Sequence, residues 1–230
     1  MARPTGTVTF LFTDIEGSTA AWDTHHSAMS AAQLRHDEIV KRTIQQENGH
    51  IFATGGDGVA AAFQSARSAV AAAVEMQRAF EREPWPPPLR ITVRMGINTG
   101  EAIERHGDYF GPAVIKAARL MSLVGGRRIV CSRGTAVLVE PHLADGIRLL
   151  PVGTVRLKGL GGAEEVFAIA GTGLVAAPSD RDRRNASVRR AATVHRSAAR
   201  QHLIQGCACE LLLFAAICMH SLDHDPRRSR

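Results

Sequence analysis

The sequence predicts an α+β fold: a β-α-β-β-α-β core followed by further strands and a helix. Three observations predict it. Short β-type runs, such as Thr7-Val8-Thr9-Phe10-Leu11-Phe12, and the alternation Leu89, Ile91, Val93, Met95, Ile97 against Arg90, Thr92, Arg94 mark strands. The alanine-rich stretch from Ser65 to Arg82 sets Val70, Val74, Met76 and Phe80 among small residues, as an apolar helix face requires. Glycine and proline clusters separate these runs, so helices alternate with pairs of short strands.

Residues 7–14 read as the first strand. Gly17-Ser18 opens a helical stretch to about Asn48, in which Ser18 or Ser27 would cap its parts and Gly49 would stop it. Residues 50–54 and 59–63 form a hairpin with Gly55-Gly56-Asp57-Gly58 at its turn. The helix from Ser65 to Arg82 ends at Pro84-Trp85-Pro86-Pro87-Pro88, because proline removes a backbone donor and clashes with the preceding turn. Residues 89–98 read as a half-buried strand, with a short strand around Glu101–Glu104. Pro112 starts a helix to about Leu123, since proline suits a first helical turn. Arg128–Cys131 is a strand, Ser132–Glu140 a short helix, and 147–156 and 165–170 terminal strands. The order matches the ferredoxin-like plan, with helices expected on one sheet face.

At 230 residues and 45% hydrophobic, the chain can bury one core and carry an appendage. Only 5% is aromatic, so small and β-branched residues must fill most of that core. The net charge of +6 is uneven: residues 172–230 hold 10 Arg against 5 acids, so the basic character belongs to the tail. Residues 1–171 read as one domain, and 172–230 as a basic, disordered tail with a short apolar segment. That segment, Leu211 to Met219, is too short to span a bilayer, and no signal-peptide core precedes the first strand. Cys131 is expected in a buried strand, and Cys207-Ala208-Cys209 has no second pair with which to bind metal. The expected setting is a reducing cytoplasm.

The chemistry-bearing feature is an aspartate pair. Asp14 closes the first strand, and Asp57 sits in the glycine-bounded turn of the hairpin. Carboxylates at a strand end and in a turn can meet on one sheet edge. Two such groups are what a pair of divalent ions needs for in-line phosphoryl chemistry.

Five motifs in order carry a resemblance: Phe12-Thr13-Asp14-Ile15-Glu16-Gly17-Ser18-Thr19, Gly56-Asp57-Gly58, Met95-Gly96-Ile97-Asn98-Thr99-Gly100-Glu101, Gly107-Asp108-Tyr109-Phe110-Gly111-Pro112 and Ala117-Ala118-Arg119-Leu120. Across residues 5–171 the chain resembles the catalytic domain of the class III adenylate and guanylate cyclases, in particular bacterial, mycobacterial-type members. The resemblance implies the nucleotide cyclase fold and conversion of ATP, or GTP, to a 3′,5′-cyclic nucleotide and pyrophosphate. It implies two Mg²⁺ or Mn²⁺ ions per site, held by Asp14, Asp57 and the backbone carbonyl of Ile15. Gly17, Ser18 and Thr19 would meet phosphate oxygens at a helix start. Arg119 would stabilise charge on the α-phosphate, and Asp108 would accept a hydrogen bond from the adenine amino group. The family's sites form between two domains arranged head to tail, so a homodimer, or a heterodimer with another cyclase domain, is implied.

Two positions depart from the resemblance. Ala53 stands where adenylate cyclases carry a lysine, four residues before the second metal aspartate. Ile115 stands where the family carries an asparagine, four residues before the arginine. Neither can make the expected hydrogen bond, and Lys116 is turned about 100° away on a helix. The metal machinery is intact and substrate selection is damaged, so the sequence predicts weak cyclisation of ATP to cyclic AMP. The alternative is an inactive cyclase-like module that binds nucleotide and regulates by dimerising. No membrane partner is expected. Specific nucleic-acid binding by the arginine tail is not expected either, because no aromatics or recognition motif accompany the arginines.

Overall fold

The computed structural model describes residues 3–174. The arginine-rich stretch, the apolar segment and Cys207-Ala208-Cys209 lie outside the described residues.

The strands are β1 (Thr7–Ile15), β2 (His50–Gly55), β3 (Gly58–Phe63), β4 (Val93–Glu101), β5 (Ile103–Arg105), β6 (Asp108–Phe110), β7 (Ile129–Ser132), β8 (Ile147–Val155) and β9 (Glu164–Gly171). The helices are α1 (Ser18–Thr24), α2 (His26–Gln46), α3 (Ala66–Arg82), α4 (Pro112–Met121) and α5 (Arg133–Val139). The seven-stranded sheet has the order β2-β3-β1-β4-β7-β9-β8, and β5-β6 form a separate hairpin. The first four strands, β2-β3-β1-β4, pair antiparallel throughout, as in the ferredoxin-like core. β4 and β7 run parallel, and β8 and β9 complete the edge. Among the described residues no helix is long and apolar enough to cross a membrane.

Side chains of β1 alternate between two apolar cores. Leu11 and Ile15 face α2, α3 and α5 together with Met29, Ile39, Phe63 and Phe80. Val8, Phe10 and Phe12 face the opposite side, with Tyr109 and with Ala113, Ala117 and Met121 of α4. The helices therefore cover both faces, not the single face expected from the element order. The reason lies in β1 itself: both alternating sets are apolar, so both faces need a cover. All of β3, Gly58-Val59-Ala60-Ala61-Ala62-Phe63, is buried. Its alanines let helices approach the sheet from either side.

Two local expectations change. The first helical stretch is two helices meeting at His25, and its N-caps are Gly17 and His25, neither with a side-chain hydrogen bond, rather than Ser18 or Ser27. β4 begins at Val93, four residues later than the alternation suggested. Its Met95-Gly96-Ile97-Asn98 segment is buried on both faces because α4 lies on the side that alternation assigned to solvent. Asp108 opens β6, paired with Arg105 in the β5–β6 hairpin. The other elements fall within a few residues of their expected bounds, and Cys131 is fully buried in β7.

Candidate active site

Asp57 reaches the end of β1 because β3 lies beside β1. Thr13 is opposite Val59, so the β2–β3 turn projects at the end of β1 where Asp14 and Ile15 stand. The turn is only Gly56-Asp57 long, and Gly56 adopts φ 60°, which glycine reaches without a β-carbon clash. The Ile15 amide then donates to Asp57 Oδ2 at 2.9 Å. Asp57 is thereby held at the end of β1, one corner of the fold that also carries Asp14 and the Ile15 backbone. Its hard donors fit Mg²⁺ or Mn²⁺. Among the described residues no group of three or more His, Cys, Asp and Glu side chains gathers, here or elsewhere.

A cation already stands at the corner. Arg94 is the cross-strand partner of Asp14, and its Nε donates to Asp14 Oδ2 at 2.8 Å. The pair is largely shielded, with 25% of the arginine and 19% of the aspartate side chain exposed. Sequence reasoning missed Arg94 as a site residue, treating it as one polar member of an alternating strand. The register of β1 against β4 is the signal that would have found it.

The Met95–Glu101 motif is the seat of α4. A β-carbon at Gly96 would collide with the backbone nitrogen of Met121 and the carbonyl oxygen of Ala117. At Gly100 it would lie 3.0 Å from Ala113 Cβ. Buried Asn98 donates through Nδ2 to the Ala113 carbonyl at 2.9 Å, fixing the helix's first turn. Gly111 and Pro112 begin the helix, with proline in its first turn. Ala113, Ala117, Leu120 and Met121 face inward.

On the outer side of α4, Ile115 is 48% exposed. Lys116 is committed elsewhere: its Nζ donates to Glu164 Oε2 at 2.6 Å. That contact removes it as a stand-in for the absent asparagine. Arg119 stands in the last turn, and its guanidinium forms no ion pair with Asp14 or Asp57 among the described residues.

The neighbours of Ala53 and Asp108 in sequence, Phe52 and Tyr109, are in contact. A bulge between Ile51 and Ala53 turns Phe52 into the α4-side core, where its ring meets Tyr109 at 5.1 Å. Ala53 packs against the same cluster. Tyr109 is fixed by its hydroxyl donating to the Pro4 carbonyl at 2.8 Å, and burial pushes its pKa above the ordinary 10.0. Asp108 Oδ1 accepts from the Tyr109 amide at 2.7 Å. Gly17, Ser18 and Thr19 follow directly on the aspartate corner; Gly17 has φ 75°, Ser18 is buried and Thr19 exposed.

The two aspartates thus stand at the end of β1, Ala53 and Asp108 lie on β2 and β6, which touch, and Ile115 and Arg119 are carried by α4. Residues 1–171 match the family model for the adenylate and guanylate cyclase catalytic domain. The chain belongs to that family.

Relatives of this cyclase-family chain include an uncharacterized protein of Mycobacterium tuberculosis, 34% identical over 168 residues, which are 72% of this chain and 56% of that protein. The match thus spans little more than half of that relative's length. An adenylate cyclase of Podospora anserina is 31% identical over 154 residues, 56% of this chain and 7% of that protein. Among solved structures, an adenylate cyclase of Trypanosoma brucei in its monomeric state superposes with a TM-score of 0.67 at 25% identity, covering 77% of this chain and 94% of that one. An adenylate/guanylate cyclase/hydrolase of Silicibacter pomeroyi gives 0.63 at 27% identity, covering 70% and 95%. The family and the α+β cyclase fold expected from the motifs are therefore those of this chain.

Proposed function

We propose that residues 1–171 form a metal-dependent nucleotidyl cyclase domain that converts ATP to 3′,5′-cyclic AMP and pyrophosphate at a low rate, with 172–230 outside the catalytic domain. The observation that carries the reading is the Ile15 amide bonded to Asp57 beside Asp14. It supports Asp14, Asp57 and the Ile15 carbonyl as holders of two Mg²⁺ or Mn²⁺ ions. Ions bound there would lower the pKa of the ribose 3′-hydroxyl and offset charge on the departing pyrophosphate.

The remaining roles belong to other groups of this chain. The 3′-oxygen bonds to the α-phosphorus as the bond to the β-phosphate bridge breaks. Arg119 meets the negative charge that gathers on the α-phosphate oxygens. Asp108 accepts from the adenine amino group. Gly17, Ser18 and Thr19 offer backbone N–H groups to the phosphates. Ala53 leaves a purine nitrogen without its donor, a loss of about 1.5–3 kcal/mol for a charged hydrogen bond. Ile115 offers no amide to the ribose, worth roughly 10²–10³ in rate for a positioned donor. Because Arg119 meets neither aspartate within one chain, the reading includes a head-to-tail dimer, of two copies or with another cyclase domain.

A second reading is an inactive regulatory module that binds nucleotide and acts by dimerising. It is favoured by Ile115, an exposed apolar side chain where the reaction needs an amide, and by the commitment of Lys116 to Glu164.

The deciding experiment is a cyclase assay on the full chain with ATP and with GTP, in Mn²⁺ and in Mg²⁺. The double variant Ala53→Lys, Ile115→Asn is compared with the parent. The enzyme reading expects at least about a tenfold gain in cyclic AMP, because correct substrate placement contributes that much and more. A folded double variant that binds ATP without any gain hands the site to the regulatory reading.

A further inference from the structure

The face opposite α4 carries a groove that the site does not use. Its volume is about 530 Å³, and Val70 and Val74 of α3, Val139 of α5, Leu143 before β8 and Ile147 at its start line it. Its charged lining is nearly balanced, Glu47, Glu75 and Asp145 against Arg67 and Arg78. Part of that charge is already paired: Glu75 meets Arg82 at 2.7 Å and Arg78 at 3.9 Å. An apolar floor under a self-neutralised rim suits an apolar peptide better than a nucleotide or an ion.

The chain itself leaves the domain at this groove. Arg78 of the groove wall donates to the Thr172 carbonyl through Nε at 3.2 Å and Nη2 at 3.0 Å. Two residues on, Leu174 packs against the core under α3. The sequence that follows contains one long apolar run, Leu211-Leu212-Leu213-Phe214-Ala215-Ala216-Ile217-Cys218-Met219. Residues 175–210 connect the two. Their number is ample: a random-coil chain of that length spans about 30 Å, far more than a return to a groove at its own point of departure requires. Tethering raises the local concentration of the segment to roughly millimolar, so even weak apolar contacts suffice to hold it.

We infer that the groove between α3, α5 and the loop before β8 is the intramolecular docking site of the chain's own segment Leu211–Met219. Docking removes that segment from water and covers the groove, so the tail is a part of the folded unit and not only a charged appendage.

The segment carries a native thiol, Cys218, which gives a direct test in the full chain. Ala144 lines the groove and is exposed in the loop before β8. In the variant Ala144→Cys, a short bismaleimide should join positions 144 and 218 within one chain, identified by mass spectrometry of the linked peptides. The yield should exceed by about tenfold that of Ile115→Cys, whose side chain lies on the other sheet face, because only a docked segment keeps a high local concentration at one place. Adding Leu212→Asp and Phe214→Asp should abolish the preference. The same pair of changes, without any new cysteine, should speed amide exchange in residues 66–82 and 139–147. Equal cross-linking at 144 and 115 would overturn the docking, as would links only between chains, which would make the occupant a second copy. Exchange that does not change when the segment is altered would overturn it too.

Discussion

Arg94 and Asp14 are direct partners across the β1–β4 pair, and the guanidinium closes on a single oxygen, Asp14 Oδ2. The first carboxylate of the aspartate corner therefore has a counter-cation before any ligand arrives. Replacing Arg94 with Ala should destabilise the metal-free protein by about 1.5–3 kcal/mol, the usual loss when a shielded charged hydrogen bond is broken. Adding Mn²⁺ should then restore more stability to Arg94→Ala than it adds to the parent. The measurement is a set of thermal melts with and without Mn²⁺. Adding Asp14→Ala should erase the extra metal response.

Asp14→Ala and Asp57→Ala should each abolish metal-dependent ATP binding, measured by titration calorimetry in Mg²⁺ and in Mn²⁺. The Ile15 amide that now bonds Asp57 holds the second carboxylate at the end of β1. An unchanged metal dependence in both variants would remove the aspartates from the site.

Arg119 pairs with neither aspartate among the described residues, which leads to a mixing experiment. Asp14→Ala and Arg119→Ala chains should each be inactive alone. Mixed, they should regain activity, since one of the two sites in a head-to-tail pair is then intact. If the parent makes cyclic nucleotide and the mixture recovers none, the shared site is wrong.

Gly96 tests the seat of α4. Gly96→Ala should lower stability by about 3 kcal/mol, because the added methyl meets backbone atoms of Ala117 and Met121 that cannot rotate away. Urea unfolding measures this. Gly161→Ala, in open space near β9, should change far less.

Alkaline pH should weaken the fold through Cys131. Burial pushes its thiol from an ordinary 9.0 up to about 12. The unfolded chain therefore loses this proton at lower pH than the folded one does. The thiol's contribution is complete below pH 9 and falls as pH rises toward about 12. Tyr109, also raised by burial, adds to the fall above its ordinary 10.0. Urea midpoints at about pH 7 and about pH 10.5 should drop in the parent and drop less in Cys131→Ala, which is weaker at neutral pH but has one fewer proton to lose.

The order of residues by itself determined most of the elements, the family and the position of the aspartate pair. Those follow from short-range chemistry: alternation in β1, the proline stop after α3, and the glycine-bounded Asp57 turn all act within a few residues of themselves. It also exposed Ala53 and Ile115 as departures, since a missing polar group is visible without coordinates. Only the tertiary structure decided that helices cover both sheet faces, because a strand with two apolar sides does not say what will pack on each. It also decided that Gly96 and Gly100 are notches for α4, that Lys116 belongs to Glu164, and that Arg94 belongs to Asp14. The last pair lies eighty residues apart in sequence and adjacent in register. Contacts of that kind depend on which strands become neighbours, and strand order is settled by the packing of the whole core, not by any one segment of it.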